Sequence, residues 1–267
     1  MTTIPAYDAF TDVAPSYDAT FTDIRKVRDL RHRVQALMAD AWAPGMSVLD
    51  IGCGTGEDAL FLARRGCSVV AIDPALGMVE QARRKLALSS VSADVRRMSA
   101  EDLTSFSSAS FDGILSNFAA LNHLSDLRDV LAECARLLVP DGVLILCLFN
   151  RFCLWEVLSF LARGDVDNAF RRWHENPVPI LVGTTVVPVF YHSARRVRAS
   201  AMPWFEIKSM IGLSVFSPMP SSLRFVDRHP KLAHRLSLLD RMLSPLPGFR
   251  ALGDHYVLVL RRRKERA

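Results

Sequence analysis

Between residues 25 and 150 two kinds of apolar pattern alternate. Short continuous apolar runs at Ser47–Ile51, Ser68–Ile72, Asp94–Met98, Phe111–Ser116 and Val143–Phe149 read as strands. Between them, apolar residues return every three or four positions, as on one face of a helix. These segments are Asp23–Trp42 (Val27, Leu30, Val34, Leu37 and Met38 inward), Glu57–Arg65 (stopped by Gly66), Gly77–Leu88 (Met78, Val79, Ala82 and Leu86 inward) and Leu127–Leu138. Strands alternating with helices predict an α/β fold with a parallel sheet between two helical layers.

After Asn150 the pattern changes. Residues 151–190 read as an insertion: an apolar helical piece (Leu154, Trp155, Leu158, Leu161), then an extended region bounded by prolines. Ser193 is placed to cap a basic helix through Ala201. Strands are expected at Phe205–Val215 and His255–Leu260, with a second insertion between them carrying an amphipathic helix (Leu232, Leu236, Leu239, Leu243).

Chemistry concentrates after the first strand, in Asp50-Ile51-Gly52-Cys53-Gly54-Thr55-Gly56-Glu57. Glycines at alternate positions let the chain turn tightly and let a ligand approach the backbone. The free N–H groups of the following helix favour an anionic ligand group. A dinucleotide loop has the spacing G-x-G-x-x-G. Here the third glycine comes one place early and Glu57 takes the last position, which counts against NAD. The carboxylate of Asp50 suits a cationic amino-acid end.

Asp50-x-Gly52-x-Gly54-x-Gly56 resembles the first motif of class I S-adenosylmethionine (SAM)-dependent methyltransferases that act on small molecules. Further segments resemble that family in the expected order. Asp73 ends the second strand, 17 residues after Gly56, where a carboxylate accepts from both ribose hydroxyls. Ser99-Ala100-Glu101-Asp102-Leu103 resembles the adenine segment, and Phe111-Asp112-Gly113-Ile114-Leu115-Ser116-Asn117-Phe118 the fourth-strand motif. Leu137-Leu138-Val139-Pro140-Asp141-Gly142 resembles the turn into strand five, and Tyr17-Asp18 an N-terminal motif whose tyrosine closes the cofactor site, with Tyr7 as an alternative.

The resemblance implies a Rossmann-like doubly wound, mostly parallel seven-stranded sheet with an antiparallel last strand and inserted helical lid segments. It implies one methyltransferase domain over residues 1–267: capping helices at 1–45, a SAM-binding core at 46–150, and insertions at 151–203 and 217–249 shaping the substrate site. The cofactor is expected to be S-adenosyl-L-methionine, held by Tyr17, Asp50, Gly52, Cys53, Gly54, Gly56, Asp73, Pro74, Met78, Ala100, Glu101, Asp102, Asn117, Phe118 and Asn122. A base is required only for a protonated nucleophile. His123, just past the fourth strand, is the candidate; His174, His192, His229 and His255 read as surface or packing residues.

Charge adds one distinction. Residues 1–150 hold 14 Lys and Arg against 19 Asp and Glu, whereas 151–267 hold 19 against 9. An acidic front half suits a cationic cofactor; a basic back half suits an anionic substrate, an acidic membrane surface or a solvated surface. Arg195, Arg196 and Arg198 lack interleaved aromatics and Ser116-Asn117-Phe118-Ala119 replaces the motif of exocyclic-amine enzymes, so a nucleic-acid substrate is disfavoured. Five cysteines without C-x-x-C spacing predict reduced thiols and no metal. The absence of a secretory signal and of a spanning apolar run predicts a cytoplasmic protein.

The expected function is methyl transfer from SAM to a small, apolar, in one version acidic, acceptor. Phe152, Trp155, Trp173, the 177–188 segment, Trp204 and Pro218-Met219-Pro220 are candidate pocket walls. The alternatives are a lipid or quinone methyltransferase at a membrane surface, motivated by the basic back half and its Leu-rich helix, and a non-catalytic SAM-binding partner protein. The acceptor's identity and the oligomeric state stay open.

Overall fold

The computed structural model describes residues 6–218 and 223–264. From the N-terminus run α1 (Ala6–Tyr17), a π-helical turn (Asp18–Thr22) and α2 (Arg25–Ala41). Then come β1 (Ser47–Ile51), α3 (Glu57–Arg64), β2 (Ser68–Asp73), α4 (Leu76–Leu88), β3 (Asp94–Arg97), β4 (Phe111–Ser116), α5 (Arg128–Leu137) and β5 (Leu138–Phe149). The chain leaves the sheet through α6 (Leu154–Leu161), α7 (Val166–Ala169) and the hairpin strands β6 (Val178–Val182) and β7 (Thr185–Val189). It returns by α8 (Ala194–Ala201) to β8 (Phe205–Leu213), then by α9 (Leu223–Arg228) and α10 (Pro230–Leu243) to β9 (His255–Arg262).

Seven strands form one sheet in the order β3-β2-β1-β4-β5-β9-β8. The first five are mutually parallel, and β9 runs antiparallel between β5 and β8. The strand order reverses between β1 and β4, the switch point where such sheets bind ligands. The register pairs Phe149 with His255, which brings the start of β9 to the carboxyl ends of the parallel strands.

Both faces are covered, which explains the unbroken apolar runs. On one face Val34, Met38 and Trp42 of the N-terminal region and Leu62 and Val79 of α3 and α4 pack on Val48, Val69 and Leu115. On the other, Leu131, Leu137 and Val197 pack on Leu49, Ile114, Leu146 and Leu258.

Three expectations change. Strand five starts at Leu138, five residues before Val143, with Asp141 at φ +65° and a register shift between Phe111 and Gly113 absorbing the Pro140-Asp141-Gly142 bend. Strand six stops at Leu213, because Val215 and Phe216 turn their N–H groups to Asp240 Oδ1 (3.0 and 2.7 Å). The proline-bounded region is a hairpin with Pro179 opposite Pro188; both strands are edges, where a missing N–H is tolerated. Among the described residues no helix is long and apolar enough to cross a membrane.

Candidate active site

The loop after β1 takes left-handed backbone at all three glycines, with φ of +73° at Gly52, +54° at Gly54 and +80° at Gly56. The Gly52 and Cys53 N–H groups donate to the Ile72 carbonyl (2.8 and 3.0 Å), so the loop is tied to β2. The glycines are not equivalent. A Cβ on Gly52 would stand 2.3 Å from Ala120 Cβ, and one on Gly56 would stand 2.8 Å from Ala82 Cβ. A Cβ on Gly54 meets nothing within 4 Å. Two glycines therefore serve close packing, and the middle one faces open space.

Two carboxylates flank that space. Asp50 is buried, and its Oδ2 has no partner among the described residues. Burial pushes this carboxyl well above its usual range, Asp58 and Asp73 add to the rise, and Arg31 opposes it. Such an orphan is costly unless a donor or cation reaches it. Asp73 accepts from the Gly54 and Ala75 N–H groups, both at 2.9 Å. Burial pushes it up to about 6 despite these two bonds. Burial likewise raises the Cys53 thiol, so Cys53 stays protonated and contributes backbone.

The N-terminal segment covers the loop. Tyr17 packs with Ala14, Ala75 and Met78, and burial pushes its hydroxyl up to about 12. Thr55 donates to Asp18 Oδ1 at 2.6 Å, and Lys85 meets both Asp18 Oδ2 (2.8 Å) and Glu57 Oε2 (2.9 Å). At the end of β4, Asn117 donates to Asp58 Oδ2 at 2.8 Å and accepts from the Phe118 N–H at 2.9 Å. Phe118 and Ala119 both have positive φ (+47° and +65°), strain of the kind that gathers at functional sites. Phe21 meets Phe118 edge-on at 6.0 Å.

Arg31 was missed in the sequence. It pairs with Asp58 and stands 4.5 Å over the Phe118 ring. Its signal was legible: a charge inside the buried stripe of Val27, Leu30, Val34 and Met38.

The remaining predicted residues divide. Pro74 is half-buried, and its carbonyl accepts from Arg97 Nε at 3.2 Å. Met78 is buried beneath α1. Ser99–Asp102 is a turn closed by Asp102 N–H to Ser99 O (3.1 Å), with Ala100 against the core and Glu101 and Asp102 exposed.

Asn122 is anchored within the fold. Its carboxamide donates to Phe190 O at 2.6 Å and accepts from the Phe149 N–H at 3.0 Å, so it ties β5 to the end of the hairpin. Trp204 departs from its expected place in the pocket wall. It lines an open groove of about 790 Å³ with Arg136, Arg262 and Arg263, at the amino ends of the strands and away from the loop.

His123 Nδ1 lies 3.1 Å from Pro188 O. A carbonyl only accepts, so Nδ1 carries the proton and Nε2 the lone pair. Burial lowers the ring's basicity, and Phe10 meets it edge-on at 5.3 Å. His255, expected at the surface or in packing, is 4% exposed at the head of β9 and lies 4.4 Å from the Phe149 ring.

Residues 48–142 match the family described as "Methyltransferase domain". Over that segment the chain carries a methyltransferase domain, and its overall fold is that of SAM-dependent methyltransferase structures. SAM is the cofactor. A ubiquinone biosynthesis O-methyltransferase of Methylocella silvestris is 39% identical over 132 residues, 47% of this chain and 51% of that one. The chain thus spans about half the length of that relative. A SAM-dependent methyltransferase structure from Methanosarcina mazei shares the fold at TM-score 0.61 and 19% identity, over 86% of this chain and 98% of the other. One from Listeria monocytogenes, a putative methyltransferase by its description, gives TM-score 0.58 at 17% identity over 86% and 96%.

Proposed function

We propose that this methyltransferase moves the methyl group of SAM to a small, largely apolar organic acceptor able to carry an acidic group. The observation that supports it best is Asp50: a buried carboxylate with an unpartnered oxygen, at the entry to a loop whose middle glycine faces open space. A cationic amino group answers that orphan, and no pyrophosphate does.

In this reading Asp50 and the backbone of Gly52, Cys53, Gly54 and Gly56 hold the amino-acid end. Asp73 and Pro74 hold the ribose, with Met78 beneath. Ala100, Glu101 and Asp102 border the base, and Asn117 and Phe118 border the reacting end under Tyr17. Asn122, its carboxamide anchored to Phe190 and Phe149, borders the same end through its second N–H.

When bound, SAM supplies an electrophilic methyl group on a positively charged sulfur. The protein's task is orientation and exclusion of water, and orientation alone can be worth about 7–11 kcal/mol. The N-terminal segment closes over the loop through Asp18 and Tyr17. For a hydroxyl acceptor, His123 Nε2 takes the proton. The chain works as one unit in the cytoplasm, with 1–45 capping, 46–150 binding cofactor, and 151–203 and 217–249 shaping the acceptor site. Met219 and Pro220, named as walls, lie outside the described residues. Nucleic acid is not the acceptor.

The test uses methyl-labelled SAM with purified protein and cell extract divided into organic, aqueous small-molecule, protein and nucleic-acid fractions, with Asp73→Ala as the blank. Label above the blank in the organic or aqueous small-molecule fraction is expected. Confirmed SAM binding with no label in any fraction would favour a non-catalytic SAM-binding protein instead.

A lipid or quinone acceptor at a membrane surface is the second reading. The relative's name and α10 favour it: Leu238, Leu239 and Met242 are exposed beside Lys231, Arg235 and Arg241. Salt-sensitive sedimentation with anionic liposomes would support it, and absence of sedimentation at low salt would remove it.

A further inference from the structure

The groove at the amino ends of the strands lies at the opposite end of the sheet from the glycine loop, and none of its lining residues belongs to the cofactor set. Its volume of about 790 Å³ is that of a small-molecule site. Part of its lining is apolar: Ala132 and Ala135 of α5, then Met202, Pro203 and Trp204 on the link from α8 to β8. Met202 is 56% exposed, and Trp204 packs against the core with part of its surface open.

The rest of the lining is cationic. Arg136, Arg262, Arg263 and Lys264 border the groove, and among the described residues no carboxylate does. Arg136 pairs with Glu133 at 2.7 Å and donates to the Phe106 and Leu103 carbonyls at 2.8 and 3.1 Å, so it is a fixed wall. Lys264 is exposed and meets Asp141 at 3.1 Å, a surface pair that a ligand can outcompete. Arg262 donates to the Leu138 carbonyl. Arg263 is exposed and gives its Nε to the Phe205 carbonyl at 3.1 Å. A carbonyl does not cancel a charge, so the guanidinium fork of Arg263 suits an anionic oxygen pair. Its main-chain N–H donates to the Trp204 carbonyl at 2.9 Å, which fixes this cation next to the indole. A bare anion would leave the apolar lining wet, and a neutral apolar body would leave the cations unused.

We propose that this groove is a second ligand site, for a small organic anion with a flat apolar body and a terminal carboxylate or phosphate. The body lies on Trp204 and Met202, and the anionic group meets Arg263, with Lys264 adding charge. This site goes beyond the proposed methyl transfer and does not rest on it.

The test titrates the ¹⁵N-labelled full chain with 1-naphthyl phosphate, 1-naphthoate, neutral 1-naphthol and inorganic phosphate. It follows the Trp204 indole resonance by NMR, assigned through Trp204→Phe. One or both naphthyl anions are expected to move that resonance saturably, about tenfold more tightly than naphthol or inorganic phosphate, and less tightly at high salt. Which anion binds tighter identifies the terminal group. Arg263→Gln should weaken that binding about tenfold. Lys264→Gln, weakened several-fold in the same direction, is the second variant should the first not fold. Naphthol as tight as the anions, unchanged affinity in Arg263→Gln, or a Trp204 resonance that stays still would overturn the proposal. Capture of the chain by phosphatidylglycerol vesicles without saturable binding of either anion would make this face a membrane contact and overturn it as well. Calorimetry of S-adenosylhomocysteine on the same samples tests the cofactor reading separately: failure there with the naphthyl anion still bound removes that reading and leaves the groove site standing.

Discussion

Thr55, between the second and third loop glycines, donates its hydroxyl to Asp18 in the N-terminal π-helical turn across 2.6 Å. The clamp therefore grips the ligand loop itself. Burial works against the Asp18 carboxylate, but bonds from Lys85 and Thr55 outweigh it and hold the group below its usual range.

Breaking that clamp should weaken cofactor binding without unfolding the sheet. Asp18→Ala removes a bond to a charged group, worth about 1.5–3 kcal/mol. The expected outcome is roughly tenfold weaker SAM binding by calorimetry and faster proteolysis within residues 6–22. An unchanged affinity would mean that the segment does not close over the cofactor.

The glycines should separate by role. Gly52→Ala forces its methyl group to 2.3 Å from Ala120 Cβ and should cost several-fold more stability than Gly54→Ala, which meets open space and carries only the left-handed backbone penalty of about 1–2 kcal/mol. Gly54→Ala should fold and lose SAM binding. Chemical denaturation paired with calorimetry checks both. A Gly54→Ala protein that binds SAM normally would place the ligand elsewhere.

Asp73 should give opposite pH trends for stability and for binding. Its folded-state carboxyl is raised to about 6, above its unfolded value, so the native state holds more protons between roughly pH 4 and pH 6. Its contribution to apo stability is fully present below the unfolded value and lost as pH rises through about 6. Ribose binding needs the ionised form, so SAM affinity should fall as pH drops below about 6. In Asp73→Asn both dependences should flatten. If wild type and variant respond to pH alike, Asp73 is not the titrating group.

The ion cluster in which Arg172 pairs with Glu156 and Asp254, and Arg171 with Glu156, should make the fold acid-sensitive. Burial opposes ionisation of Asp254 and Glu156, but His255 and Arg172 beside the first, and Arg172 and Arg171 beside the second, hold both carboxyls below their usual range. Their contribution is present above the unfolded values near pH 4 and lost as pH falls through the folded ones. Asp254→Asn leaves Arg172 short of a buried partner and should cost about 3–5 kcal/mol at neutral pH, with a flatter acid profile. Urea denaturation at several pH values measures both; a loss below about 1 kcal/mol would show that the cluster is well solvated.

Most of the sheet was legible because its signal is local. A doubly covered strand is a run of apolar residues, and its neighbouring helices repeat at 3.6 residues; boundaries moved only where something distant intervened, as Asp240 did for strand six. The glycine loop was legible for the same reason, since Asp50, three glycines and a helix start are contiguous in the chain.

The sequence by itself determined the α/β class, the order of the motifs and the loop residues, all of which rest on short-range patterns. Only the tertiary structure decided that Arg31 belongs beside Asp58, that Asn122 is a strut, that Trp204 lies at the far end of the sheet, and that His255 joins Phe149 and Arg172. Those relationships depend on strand order and register: β9 inserts between β5 and β8, and nothing local in the chain at residues 254–262 specifies its neighbours.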